Sequence, residues 1–127
     1  MTLRQVVHTD DAPKAVGPYA QGVWAGDLFF VSGQVPLHPT TGQLAEGGAA
    51  GQASQSLRNA KAILEAAGLS LAHVVKTTLF LTNMDDFPTV NEVYASYFQP
   101  PYPARATMEV SRLPKDALVE IEMVAKR

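Results

Sequence analysis

A chain of 127 residues and 13.6 kDa has the size of one domain, and 46% hydrophobic against 17% charged residues is a globular mixture rather than a disordered one. A formal net charge of -2 offers no basic footprint for counterion release, which argues against a nucleic-acid partner. The absence of cysteine excludes disulfides, thiolate metal sites and thiol nucleophiles and suits a reducing compartment. With an acidic N-terminal segment and no run near the ~18 apolar residues of a span, a cytosolic protein without leader or membrane segment is expected.

In chain order, residues 5–9 (QVVHT) predict a short strand, followed by an irregular loop carrying Pro13, Gly17 and Pro18. Residues 21–25 and 28–35 predict a hairpin turning at Gly26-Asp27, and the Gly- and Thr-rich segment after it predicts a surface loop. Ala53, Leu57, Ala60, Leu64 and Ala67 recur at helical spacing over 52–67, with Gly68 as a stop and Gln55, Arg58, Asn59 and Lys61 on the opposite, solvent-facing side. The β-branched run 74–82 predicts a strand. A second helix runs from Asn83 to about Phe98, with aspartates as cap candidates and the Pro-Pro-Tyr-Pro segment as its end. Two last strands are predicted over 105–110 and 118–125.

This order, ββ(β)αβαββ, predicts an α+β fold with both helices on one face of the sheet. Alternation assigns Ala106, Met108, Val110, Val119, Ile121 and Met123 to the helix side, and Arg105, Thr107, Glu120 and Glu122 to the far side. That far side also carries either Leu28 and Phe30 or Phe29 and Val31, so it is expected to be buried against another subunit.

His8, His38 and His73 have no metal-ligand spacing. Ser32 lacks the nucleophile elbow, and the glycine-rich stretches fit turns rather than a phosphate cradle. Tyr94 and Tyr97 read as core or interface packing. Arg105 and Glu120 remain. On spacing alone they are equally an ion pair between neighbouring strands and a pair in which the planar guanidinium captures a ligand carboxylate.

The stretches GPYAQG (17–22), VSGQVP (31–36), QSLRNAKAILEAAG (55–68), VVKTTLFLTNMDDFPTVNEVY (74–94) and PARATMEVSRLPKDALVEIE (103–122) resemble the reactive intermediate deaminase family, RidA, also called YjgF. The resemblance covers nearly the whole chain as one domain, 1–127. It implies a chorismate-mutase-like α+β fold with a mixed sheet, assembled as a homotrimer with sites between subunits. It also implies cofactor-free, metal-free hydrolysis of 2-imino and enamine acids such as 2-aminoacrylate and 2-iminobutyrate to 2-keto acids and ammonia. Arg105 matches the residue that grips the substrate carboxylate and Glu120 the acid associated with the hydrolytic water. Tyr19, Ser32, Gly33 and Asn91 match other substrate-binding positions, and Phe87 and Pro114 match its walls. Thr107 stands where many members carry cysteine, which puts any thiol-dependent activity out of reach. A non-catalytic ligand-binding or chaperone-like trimer is the main alternative, and an endoribonuclease or translation inhibitor is disfavoured by the charge balance.

Overall fold

From Val119 to Lys126 the side chains of Val119, Ile121, Met123 and Ala125 are buried, while Glu120 is half-buried and Glu122 exposed, so one face of this strand meets the core and the other does not. In the computed structural model, which describes residues 4–127, this is the sixth strand, β6, of one mixed sheet. Before it come β1 (Gln5–Val7), β2 (Gly22–Ala25), β3 (Leu28–Gln34), β4 (Val74–Leu81) and β5 (Ala104–Glu109). The sheet order is β1-β2-β3-β6-β4-β5, and only β4 and β5 pair in parallel.

Two helices, α1 (Gly48–Ala66) and α2 (Phe87–Tyr97), share a single core with one sheet face. Leu57, Ile63 and Leu64 of α1 and Val90 and Tyr94 of α2 join Phe29, Val31, Leu79, Leu81, Val119, Ile121 and Met123 there. Among the described residues no layer covers the opposite face. Leu28 and Phe30 lie on it, as expected for one of the two rows of β3, and are 37% and 44% exposed.

Several boundaries differ from the sequence expectation for identifiable reasons. β1 stops at Val7, because its pairing with β2 runs only from Gln5 to Val7. α1 begins four residues early, at Gly48, in a Gly-Ala-Ala-Gly stretch of poor helix propensity that reads as loop. Gly51 is required in this turn, since a Cβ there would strike the Glu46 carbonyl. The second helix starts with a separate 3-10 turn at Met84–Asp86, capped by Asn83, whose Oδ1 accepts from Asp85 N at 2.9 Å, and not by the aspartates.

Gln55 and Asn59 do not face solvent. Gln55 Nε2 donates to Asn59 Oδ1 at 2.8 Å, and Asn59 Nδ2 donates to the Leu37 carbonyl at 2.9 Å, so both amides are buried with partners. Ser56 Oγ donates to the Gln34 carbonyl at 2.9 Å, and Gln52 Oε1 accepts from Leu118 N at 2.7 Å. A polar row of α1 thus anchors the end of β3 and the approach to β6, the two segments that carry Gly33 and Glu120.

Candidate active site

Parallel pairing sets Arg105 beside Thr77 and Thr107 beside Leu79. Thr77 and Leu79 are fully buried beneath the helices. Arg105 and Thr107 therefore lie on the helix side of the sheet, and Ala106 and Met108 on the uncovered side, which reverses the expectation for this strand. Met108 is 44% exposed rather than part of the core. Alternation separates the two rows of a strand, but it cannot say which row meets the helices when both sheet faces carry apolar residues. The expectation for β6 holds, because Glu120 pairs with Phe80 and Glu122 with Thr78 on the uncovered side.

An ion pair of Arg105 with Glu120 across neighbouring strands is excluded. β4 stands between β5 and β6, and the two side chains leave opposite faces of the sheet. Among the described residues the ion pairs are His8–Asp10 and Arg112–Asp116, and neither Arg105 nor Glu120 takes part in one.

Arg105 is held by one face of α2 at positions i, i+4 and i+7. Its Nη1 donates to Asn91 Oδ1 at 2.7 Å, and its Cζ lies 5.2 Å from the Phe87 ring centroid and 4.9 Å from that of Tyr94. Both aromatic distances are within cation–π range. The Tyr94 hydroxyl shares a 2.9 Å hydrogen bond with Thr77 Oγ1 in the core. Burial pushes this hydroxyl above its ordinary pKa, while the Thr77 bond and the Arg105 charge pull it down. A cavity of about 400 Å³ opens over the cluster, lined by Asn91, Tyr94, Ala95, Tyr102, Pro103 and Arg105.

Glu120 faces a different cavity, of about 690 Å³, whose lining includes Tyr19, Gly33, Gln34, Pro114 and Lys115. The β3–β6 register shifts between Val31 and Gln34, and within that irregularity Gly33 lies against the Glu120 carboxylate. A Cβ at position 33 would collide with Glu120 Oε2, so glycine here makes room for the acid. Burial first, and the Glu122 charge second, push the Glu120 carboxyl above the ordinary carboxylate range. Lys115 and Asp116 adopt left-handed backbone (φ 62° and 57°) at the turn that carries Pro114 to the cavity rim.

The matched positions thus divide into two groups. Phe87, Asn91 and Arg105 form one, with Thr107 two residues along the same row of β5. Tyr19, Gly33, Pro114 and Glu120 form the other. Ser32 is outside the lining of both cavities: its hydroxyl donates to the Ala20 carbonyl, and its N–H donates to the Gln21 carbonyl at 2.9 Å, so it fastens the loop that presents Tyr19.

Sequence reasoning missed three contributors. Tyr94 and Thr77 support Arg105, and buried Gln21 orders the loop beside Glu120. Gln21 Oε1 accepts from Thr9 N at 2.7 Å, and its Nε2 donates to the carbonyls of Thr9 and Pro13 at 3.0 and 2.8 Å. Only the polar residue at the mouth of an apolar strand signals Gln21. Tyr94 was legible as a buried residue but not as a partner of Arg105, because its contact depends on the face of β5.

Residues 9–127 match the model of the family described as Endoribonuclease L-PSP. A 2-iminobutanoate/2-iminopropanoate deaminase of Salmonella typhimurium is 48% identical over 128 residues, spanning 98% of this chain and 99% of that protein. Other relatives bear the general name RutC family protein. Among solved structures, RidA of Psychrobacter sp. superposes with a TM-score of 0.94 at 47% identity, covering 98% of this chain and all (100%) of that one. TdcF of E. coli with bound serine gives a TM-score of 0.93 at 47% identity, covering 97% and 98%.

Proposed function

The chain belongs to the Endoribonuclease L-PSP family, the family of RidA and YjgF, and from that premise we propose that it is a hydrolytic deaminase of reactive 2-imino and enamine acids. The observation that carries this reading is a pair of opposite charges, neither paired with an ion partner among the described residues. Arg105 is braced by uncharged groups at the mouth of a cavity, and Glu120 is held half-buried beside Gly33 at another. Each is half of a site.

The halves leave opposite faces of one sheet, so a ligand that touches both must lie between two copies. Leu28, Phe30 and Met108 on the uncovered face supply the apolar surface for such contact. In the proposed homotrimer, Arg105 of one copy meets the Glu120 cavity of the next. Head-to-tail contacts of this kind close into a ring in which every site is equivalent.

In this arrangement the guanidinium fork holds the α-carboxylate of the substrate through two parallel hydrogen bonds. An enamine acid first takes a proton at C3 and loses one from nitrogen, becoming the imine. Water then adds to C2 of the imine. Glu120 accepts the proton that the water loses and passes it to the imine nitrogen, giving a carbinolamine. Glu120 then takes the carbinolamine hydroxyl proton and gives it to the amino nitrogen, so the C=O bond forms, the C–N bond breaks and ammonia leaves. A carboxyl with a raised pKa suits this alternation between base and acid. The electrophile is the imine itself, so neither a cofactor nor a covalent nucleophile enters the scheme, and Thr107 can replace a cysteine whose contribution is its backbone.

The support from relatives is the deaminase name of the Salmonella protein and the serine bound to TdcF, an amino acid with the same α-carboxylate. The test generates 2-aminoacrylate and 2-iminobutyrate with a pyridoxal-phosphate dehydratase and times their loss. Wild type should hasten keto-acid formation and Arg105→Ala should not. Equal rates with and without the protein would reject the proposal, and melting shifts with a 2-keto acid but no acceleration would favour a binding protein.

A further inference from the structure

The side chains that brace Arg105 have one property in common: none of them carries a charge. Asn91 offers an amide oxygen at 2.7 Å, and Phe87 and Tyr94 offer ring faces with centroids at 5.2 and 4.9 Å. A carboxylate partner would steady the guanidinium as well, but it would also cancel its charge and occupy its fork. Here the guanidinium is steadied on several sides and remains a whole cation.

We infer that Phe87, Asn91 and Tyr94, with Thr77 behind Tyr94, are positioning residues that orient the Arg105 guanidinium without neutralising it, and that Phe87 and Asn91 affect substrate through Arg105 rather than by contact of their own. The inference rests on the carboxylate-binding reading of Arg105 and adds how that binding is prepared.

The geometry supports each part. Tyr94 is buried, and its hydroxyl is fixed at 2.9 Å from Thr77 Oγ1, so the ring cannot swing away from the guanidinium. Thr77 is the direct neighbour of Arg105 across the β4–β5 ladder, which brings strand, ring and guanidinium into one stack. Phe98 backs the Tyr94 ring at a centroid distance of 4.6 Å. Asn91 takes one Nη1 proton, and no other side-chain hydrogen bond to a described residue involves the guanidinium, so its Nε–Nη2 edge is available to an anion. A long arginine side chain that must be ordered at the moment of binding loses affinity; one ordered beforehand does not.

Orientation and charge are separable at position 91, and Asn91→Asp separates them by experiment. An aspartate at position 91 keeps an acceptor for Nη1 but supplies the negative charge that the native asparagine withholds. The measurements, on the full chain as it assembles, are ¹⁵N spectra of the Arg105 guanidinium and the affinity for 2-oxobutyrate, read beside KM and kcat for imine hydrolysis. In wild type the Nη resonances should show hindered rotation.

Asn91→Ala, an exposed substitution, and Tyr94→Leu should both speed that rotation, weaken 2-oxobutyrate binding and raise KM by about three- to thirtyfold, the range expected for losing one cation–π or charge-assisted contact. Their kcat should change less. Tyr94→Phe keeps the ring but frees it from Thr77, and should fall between wild type and Tyr94→Leu in both rotation and affinity. Asn91→Asp should keep rotation hindered yet bind 2-oxobutyrate at least as weakly as Asn91→Ala.

Unchanged Arg105 rotation in Asn91→Ala, or full 2-oxobutyrate affinity in Asn91→Asp, would overturn the inference. If Tyr94→Leu does not fold, the two Asn91 variants still decide it. The spectra and the 2-oxobutyrate affinity do not depend on turnover. A chain that orders Arg105 and binds the keto acid but hydrolyses no imine would thus refute the proposed reaction and leave this inference standing.

Discussion

Among the described residues no cation lies within bonding distance of Glu120, a half-buried carboxyl, and its raised pKa makes it a liability for folding as well as an asset for the proposed proton transfer. Because its folded pKa is above the unfolded one, the stability it contributes is greatest below the ordinary pKa of glutamate. That contribution is lost as pH rises through the raised value. Glu120→Gln should therefore melt higher than wild type at neutral pH, with the gap closing as pH falls toward the ordinary carboxylate range; thermal melts from about pH 4 to about pH 8 measure it. The same variant should lose about 10²- to 10⁴-fold of the catalysed rate, the usual scale of general acid-base help. At Arg105 the expectation concerns shape. Lysine preserves the charge but lacks the planar fork and the ring contacts, so Arg105→Lys should fail nearly as fully as Arg105→Ala in the coupled keto-acid assay. Near-normal turnover by the lysine variant would remove the carboxylate-clamp role. Both residues stood out in the sequence, but as a pair; the structure separates them, since only the strand order reveals that β4 runs between them.

The end of β3 and the start of β6 show how an element can be specified for the site rather than for the core. Gly33 occurs where the register shifts, and the space a side chain would take is filled by the Glu120 carboxylate. Gly33→Ala should displace Glu120 and depress imine hydrolysis strongly while the melting temperature moves little; a fully active alanine variant would show that the close approach is not needed. The α1 row behaves differently. Removing the Asn59 amide would leave Gln55 Nε2 and the Leu37 carbonyl without partners, at a cost of about 1–3 kcal/mol for a buried unsatisfied group. Asn59→Ala should thus lower stability measurably in denaturant titrations. What the sequence conveyed at this scale was the kind and order of elements: the β-branched runs, the apolar stripe of α1, the stop at Gly68 and the Pro-rich end of α2 all mark themselves. Gln55 and Asn59 did not, because an amide on a helix looks solvent-directed until the carbonyls of residues 35–37 are seen to need donors. Nor did the facing of β5, whose apolar row covers the open side of the sheet while its polar row meets α2.

For the whole molecule the open sheet face is the unresolved demand. Leu28, Phe30 and Met108 are all more than a third exposed, on a sheet whose other face is fully used by two helices. The sequence already required two apolar faces, since either row of β3 is apolar, and the structure identifies the row left open as Leu28 and Phe30. Placing a charge there, as in Phe30→Glu, should break the proposed assembly in sedimentation experiments and abolish the proposed hydrolysis along with it, although Arg105 and Glu120 are untouched.

The central claim is that a working site takes Arg105 from one copy and Glu120 from another, and subunit complementation tests it most directly. Arg105→Ala and Glu120→Gln chains are unfolded, mixed in equal amounts and refolded together, with mixed assemblies verified by native mass spectrometry, and imine hydrolysis is then timed. In a closed ring of shared sites, about a quarter of the sites should receive both native residues, restoring about that share of wild-type activity. Mixed assemblies no more active than the separate variants would contradict a site shared between copies.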